Sequence, residues 1–232
     1  MINQSIEILI PAYNEEKNIE EVVQKSLSWL KSQTKNYLVT VVDDGSSDNT
    51  GKILDLLAKK NKHANIIHHR KNLGIGKAWR TLYNASSKDI VFTCPADQQF
   101  DPLDFSKAMP YLSADIISIY RPKKYDYSLF RILLTNAHRL IIRIFFGLNI
   151  KDINWVKMYK KRFLKELDLK LQSGLIETEI LVKAKKRNAR IVQVEAPYYF
   201  RPYGKSRGAG LRNISQTISE LIRLCQIIIK FK

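Results

Sequence analysis

Residues 37–50 read YLVTVVDDGSSDNT. An apolar, β-branched run stops at two adjacent carboxylates, Asp43 and Asp44, and gives way to a glycine and a cluster of helix-capping residue types. Unbroken apolar character of this length marks a strand covered on both faces, as in a parallel sheet. Two neighbouring carboxylates at the end of such a strand repel each other and lose solvation, so a ligand or cation is expected to offset them. A ribose diol or a base N–H would suit Asp43, with Asp44 nearer a diphosphate and its metal. Ser46 or Asp48 can cap the following helix, and for Asp48 capping alone is an equal reading.

The same grammar recurs on either side. SIEILI, ANIIHH, DIVFT and ADIISI read as further strands, separated by helical patterns near 15–32, 49–61, 74–86 and 102–112. Strands alternating with helices predict a doubly wound α/β sheet whose ligands sit at the carboxyl ends of the strands. Each strand is followed by a polar cluster: PAYNEE at 11–16, DDGSSDNT at 43–50, RKNLGIGK at 70–77 and PADQQFDP at 95–102. These should converge in one crevice. Gly74-x-Gly76 opens a predicted helix, where its amides could face phosphate or simply make a tight turn. Asp97 and Gln99 can point at one hard cation such as Mg²⁺, which takes oxygen ligands and completes its shell with water and phosphate. The competing reading has Asp101-Pro102 starting a helix and Asp97 as a turn residue.

The second half has another character. A helical pattern over 126–148 carries interleaved arginines, INWVKMY and RIVQVEAPYYF read as strands, and 161–169 and 176–188 read as helices. The basic loop RPYGKSRGAG leads into an amphipathic helix over 211–230. A length of 232 residues fits one domain, since single cores commonly grow to roughly 200–250 residues. Within it, 1–120 and 121–208 form two halves of one domain, the first carrying the polar strand-end clusters, and 209–232 form a terminal helix.

Charge divides along the same line. Residues 1–120 carry 14 basic and 14 acidic side chains, whereas 121–165 carry 12 against 2 and 201–232 carry 7 against 1. Such asymmetry implies an acidic partner for the later segments. The neutral first half and the lack of interleaved aromatic and basic residues argue against nucleic acid. No window is long and apolar enough for a span, and the N-terminus lacks a secretory pattern, so attachment is expected to be peripheral, at the cytoplasmic membrane face. The apolar helix faces would serve equally to meet a second copy of the chain. Cys94 and Cys225 lie in dissimilar contexts and suggest no disulfide or metal motif.

Taken in order, ILIPAYNEEKNI, VVDDGSSDNT, RKNLGIGKA and ADQQFDP resemble the inverting family 2 glycosyltransferases of GT-A fold, a Rossmann-like, mostly parallel sheet with helices on both faces. The later YRPKKYDYSLFRILLTNAHRL, KDINWVKMYKKRFL and SGLIETEILVKAKKRNARIVQVEAPYYFRPYGKS resemble more narrowly the dolichyl- and undecaprenyl-phosphate mannosyl- and glucosyltransferases. The resemblance implies transfer of one hexose from a nucleotide sugar to polyprenyl phosphate, with Mg²⁺ or Mn²⁺. It implies that Pro11, Tyr13, Glu15 and Asp43 hold the nucleotide with Asp44 close by, and that Asp97 and Gln99 bind metal. Asp97 is then catalytic together with Arg121, Arg131 and Arg201, and the acceptor phosphate meets Arg131, Arg201, Lys205 and Ser206. Pro95 stands where the family has its first aspartate, which implies a sparser metal site. The Gln-x-x-Arg-Trp motif of processive synthases is absent, which argues against a polymerase. The remaining alternatives are a hydroxyl-acceptor enzyme, with Asp101, Asp152 or Glu177 as base, and a non-catalytic nucleotide-sugar binder.

Overall fold

The computed structural model describes residues 1–122, 129–204 and 211–231, with the side chains of 129–131, 134 and 211–218 outside the description. The chain runs β1 (Ile6–Ala12), α1 (Ile19–Gln33), β2 (Tyr37–Asp43), α2 (Thr50–Lys60), β3 (Ala64–His68), α3 (Ile75–Ala85) and β4 (Ile90–Thr93). Then follow β5 (Ile116–Tyr120), α4 (Leu129–Phe146), β6 (Lys157–Lys160), α5 (Lys161–Glu166), α6 (Ile176–Lys186), β7 (Ile191–Glu195) and α7 (Leu211–Lys230). Seven strands form one sheet in the order β3-β2-β1-β4-β6-β5-β7. β3, β2, β1 and β4 are mutually parallel, β6 runs antiparallel to both its neighbours, and β7 is parallel to β5. The α/β expectation holds, with one reversed strand in a mostly parallel sheet.

Apolar layers cover both faces. Ile8, Ile10 and Val39 join Val23, Leu27 and Leu30 of α1 on one side, while Leu9, Val42 and Val91 join Leu82 of α3 and Ile180 of α6 on the other. Leu9 and Ile10 thus feed opposite layers, the period-two alternation of a strand sandwiched between helices. Connections leave β1 toward β2 and β3 on one side, while β4 lies on its other side. The topological switch point therefore falls between β1 and β4, where open α/β sheets form their crevice.

Three expectations need correction. The predicted helix over 102–112 is two short 3₁₀ turns, Pro102–Lys107 and Met109–Tyr111. Pro110 has no amide for the carbonyl four residues back, and its ring excludes the α geometry there. Of the predicted strand INWVKMY only the last three residues are in a strand, β6 (Lys157–Lys160), because the residues before it form the turn that carries Asp152 and Trp155 to Arg121. β7 stops at Glu195, two residues short of Pro197, which cannot donate to a ladder.

Glu7 is fully buried in β1. Its carboxylate accepts from Thr40 Oγ1 at 2.6 Å, from the Ser87 amide at 2.7 Å and from the Lys88 amide at 3.2 Å. One side chain thereby ties β1 to β2 and to the turn before β4, and its charge is stabilised by converging donors. Glu7→Ala leaves those donors facing an apolar hole and should cost about 3 kcal/mol of stability, read as a lower urea midpoint with an unchanged slope.

Candidate active site

The loops after the parallel strands are hydrogen-bonded to one another. The Asn14 amide donates to Ser46 Oγ at 2.9 Å, the Ser47 amide to Asn14 Oδ1 at 2.8 Å, the Glu15 amide to Thr50 Oγ1 at 2.8 Å and the Asn49 amide to Glu16 Oε2 at 3.0 Å. Asn14 sits at φ 53°, a left-handed conformation that asparagine tolerates better than most residues. Pro11, paired in register with Val42, and Tyr13 lead into this clasp, and Asp43 closes β2 beside it. The four polar clusters of the sequence accordingly lie along one edge of the sheet.

Asp43 and Asp44 are both buried. Asp43 Oδ1 accepts from the Ser46 amide at 3.0 Å, and Oδ2 lies 3.0 Å from His68 Nδ1. Asp44, for which the resemblance implies a place close to the nucleotide, has a carboxylate that accepts from the Leu73 amide at 3.0 Å, the Gly74 amide at 2.8 Å and His69 Nδ1 at 2.7 Å. These contacts hold the loop between β3 and α3. The Gly74 amide is thus given to Asp44, and a Cβ on Gly76 would lie 2.3 Å from the Gln172 carbonyl oxygen, so the second glycine serves close packing of α3.

At the switch point, Glu15 from the loop after β1 and Asp97 from the loop after β4 meet one cation, Arg201. Its guanidinium bonds Glu15 through Nη2 and lies 3.4 Å from Asp97 Oδ2 through Nη1, while Nε donates to the Tyr203 carbonyl at 2.6 Å. Burial pushes the Asp97 carboxyl above the usual range, against the opposing pull of the Gln99 amide and of Arg201 and Arg121. Burial likewise raises Glu15, against the Asn18 hydrogen bond and Arg201. Desolvated carboxylates of this kind favour a nearby cation. Gln99 donates through Nε2 to Tyr198 Oη at 2.5 Å, leaving its amide oxygen as an acceptor.

Arg121 approaches the same corner from the end of β5. Asp152 grips it in a two-pronged pair, 2.7 Å to Nε and 3.1 Å to Nη2, and its guanidinium lies over the rings of Trp155 at 5.1 Å and Tyr198 at 5.4 Å. The planar guanidinium suits both the fork and the stacking. Beside it opens a cleft of about 530 Å³ whose lining includes Arg121, Asn136, Arg139, Lys151 and Glu195. Trp155, Tyr198, Arg139 and Lys151 lie within the quoted family-like stretches but are not singled out from sequence as site residues, since only proximity in the fold brings them to Arg121 and its cleft. It weighed Asp152 only as a base. Lys205 and Ser206 lie outside the described residues, as does the side chain of Arg131.

Among the described residues, no group of three or more His, Cys, Asp or Glu is placed to hold a metal ion. Asp97 and Gln99 lie two residues apart, with the Gln99 backbone amide donating to Asp97 Oδ1 at 3.2 Å; a carboxylate and an amide oxygen are donor types that fit Mg²⁺ or Mn²⁺ when substrate phosphates supply the rest of the shell.

A mixed α/β sheet with helices on both faces, a crevice at the switch between β1 and β4 and an acidic corner there define the GT-A class of glycosyltransferases. A family model described as Glycosyl transferase family 2 matches residues 7–170. The chain belongs to that family. Among curated proteins it is 26% identical, over 90% of its length and 64% of the relative's, to an undecaprenyl-phosphate 4-deoxy-4-formamido-L-arabinose transferase of Proteus mirabilis. The protein of the same name from Pectobacterium carotovorum is 24% identical, over 91% of this chain and 65% of that one. The chain thus spans somewhat under two thirds of the length of these relatives. Among solved structures, glucosyl-3-phosphoglycerate synthase from Mycobacterium tuberculosis in complex with Mn²⁺, UDP and phosphoglyceric acid superposes with a TM-score of 0.74 at 19% identity, over 96% of this chain and 79% of that one. The same enzyme with Mg²⁺ and UDP gives 0.74 at 19% identity over 97% and 80%. At these identities the likeness is one of fold.

Because Arg201 is the cation that bridges Glu15 and Asp97, a divalent ion entering this corner competes with it. Arg201→Gln should strengthen Mn²⁺ binding without nucleotide by about tenfold, measured by electron paramagnetic resonance of free Mn²⁺. Equal affinity in the two proteins would show that the guanidinium does not compete there.

Proposed function

We propose that the protein transfers one hexose from a nucleotide sugar, GDP-mannose or a UDP-hexose, to polyprenyl phosphate with inversion at the anomeric carbon. The observation that carries this reading is the pair of arginines, Arg121 and Arg201, at the Asp97 corner beside a cleft lined by Arg139 and Lys151. The names of the undecaprenyl-phosphate relatives support the acceptor, and the UDP complexes with Mn²⁺ or Mg²⁺ support a metal-assisted nucleotide donor.

The chemistry follows from charge. A phosphate monoester has its second pKa near 6 and is mostly ionised at neutral pH, so its oxygen attacks the anomeric carbon without a protein base. The bond from that carbon to the nucleotide diphosphate breaks as the new one forms on the opposite face, and no proton need move. Repulsion between two anionic substrates is the obstacle. Arg121, Arg201 and the arginines of α4 offset it, with planar forks suited to phosphate. Asp97 and Gln99 would hold a divalent ion, which when bound would supply charge relief for the departing diphosphate. Pro11, Tyr13, Glu15 and Asp43 hold the nucleotide.

The candidate bases of a hydroxyl-acceptor enzyme are all engaged. Asp152 is gripped by Arg121, Asp101 accepts from the Leu103 amide at 2.9 Å and pairs with Lys25, and buried Glu177 is bonded to Tyr83 and Tyr159. That favours an acceptor already charged.

Membrane attachment belongs to the same reading. Among the described residues no helix is long and apolar enough to cross a membrane. α4 nonetheless exposes Leu133, Leu140, Ile144 and Phe145, and α7 exposes Ile222 and Ile229, while Ile142, Leu224 and Ile228 pack inward. Two helices with apolar residues on both faces beside a basic surface suit a bilayer interface.

A purified-protein assay with UDP- and GDP-sugars, Mg²⁺ or Mn²⁺ and undecaprenyl phosphate in detergent tests the whole reading. Asp97→Ala should lower transfer at least about 100-fold, and Arg201→Ala should chiefly raise the lipid-phosphate concentration needed; full activity of both would refute the assignment. Replacing Ile144 and Phe145 together with Asp should weaken sedimentation with anionic vesicles by about tenfold or more and leave the unfolding midpoint within a few degrees.

A further inference from the structure

His68 has no place in the chemistry above, yet it is bound more tightly than an edge histidine requires. It ends β3 in register with Asp43, the last residue of β2. Its Nδ1 lies 3.0 Å from Asp43 Oδ2 and its Nε2 lies 3.0 Å from Asp55 Oδ1, on α2. A neutral imidazole carries one N–H and can serve only one of these carboxylates; the imidazolium serves both. The approach of α2 is built for this contact. Gly51 faces the pair, and a Cβ there would lie 2.9 Å from Asp43 Oδ2 and 3.5 Å from His68 Cε1.

We infer that His68 is a positioning residue of the nucleotide pocket, an imidazolium strung between Asp55 and Asp43 that fixes the carboxylate meeting the donor's nucleoside. The inference rests on the proposed role of Asp43. With one oxygen bonded to the Ser46 amide and the other to His68, the Asp43 carboxylate has a single orientation, and little ordering is left for the ligand to impose. Loss of the His68 proton breaks one of the two bonds.

The charged groups facing the ring are Asp43 from β2 and Asp55 from α2. Partial burial pulls His68 down, but the hydrogen bonds and charges of the two carboxylates outweigh it, and the net shift is upward. For a histidine raised on folding, the interaction is complete below the ordinary value and is lost as pH rises through the folded one. Nucleotide affinity should therefore fall on the alkaline side.

Calorimetric titration with UDP and with GDP from pH 5.5 to 9 tests this. The wild type should weaken about tenfold from the acidic to the alkaline end as a charge-assisted bond is lost. His68→Gln should be weaker by a similar factor at the acidic end and show no such fall, and His68→Lys, which keeps its charge, should bind well at both ends. Asp55→Asn, a change on the exposed face of α2, should move the wild-type fall to lower pH, and it reads the same coupling if a His68 variant folds poorly. His68→Gln with wild-type affinity and profile would overturn the inference, as would a flat wild-type profile with ordinary binding. Absence of binding by either nucleotide at any pH would refute the donor reading itself, and the inference with it.

Discussion

The Arg201 guanidinium between Glu15 and Asp97 is the contact on which the site depends. It joins three pieces of chain far apart in sequence: the loop after β1, the loop after β4 and the segment following β7. The Tyr203 carbonyl adds a further link, accepting from Arg201 Nε and lying 3.4 Å from Asn18 Nδ2. Two largely buried carboxylates facing one crevice would otherwise favour protonation or spread apart. The arginine between them opposes the effect of burial on both, so a cation arriving with a phosphate would have to exchange with a guanidinium. The same residue is proposed to meet the acceptor phosphate, so donor site and acceptor site share a group whose partners change with occupancy.

The second half of the chain supplies that corner through its one reversed strand. β6 lies between β4 and β5, and the turn leading into it carries Asp152 and Trp155, which hold Arg121. Lys157 fixes this turn from within. It is completely buried, and its ammonium donates to the Ile153 carbonyl at 2.6 Å and the Trp155 carbonyl at 3.2 Å. Glu177 lies 3.8 Å away as counter-charge and is itself bonded to Tyr83 and Tyr159. Burial lowers the lysine's pKa while Glu177 and Asp152 oppose that shift. A fully bonded internal network of this type orders its surroundings more than an apolar replacement would. Arg121 is thus held from three elements, β5, the turn before β6 and the segment after β7.

Much of the fold was legible because strands covered on both faces need unbroken apolar runs, and those runs stand out between helical segments. The clusters at 11–16 and 43–50 were legible as a site for the same reason: polar residues at strand ends in a parallel sheet share an edge. The roles of single residues were not. That Asp44 braces a loop is invisible in sequence, because the Leu73 and Gly74 amides it accepts from lie about 30 residues further on. Helix 102–112 failed because Asp101-Pro102 is a sound helix start and its capping was read without the consequence of Pro110. Asp152 was visible as a carboxylate but not as the partner of Arg121, since a pairing across 31 residues leaves no local periodicity.

The charge asymmetry gains a physical meaning from the architecture. The parallel strands β1 to β4 belong to the neutral half, and there the sheet edge itself presents polar groups, backbone amides, short hydroxyls and carboxylates, held by clasped loops. A nucleotide is a small ligand with fixed hydrogen-bonding groups, and such a rigid set can discriminate it. The excess positive charge lies in 121–165 and 201–232; among the described residues these segments bring Arg121 and Arg201 to the crevice and include two helices, α4 and α7, that expose apolar side chains. Those features match a ligand of another kind, a charged headgroup on a long apolar chain, for which charge and exposed apolar surface matter more than fixed geometry. Arg121 and Arg201 are the exceptions that show where the two regimes meet. Each is basic like the second half yet held by fixed partners like the first, which is the combination the proposed transfer would require where a phosphate is brought in line with a sugar.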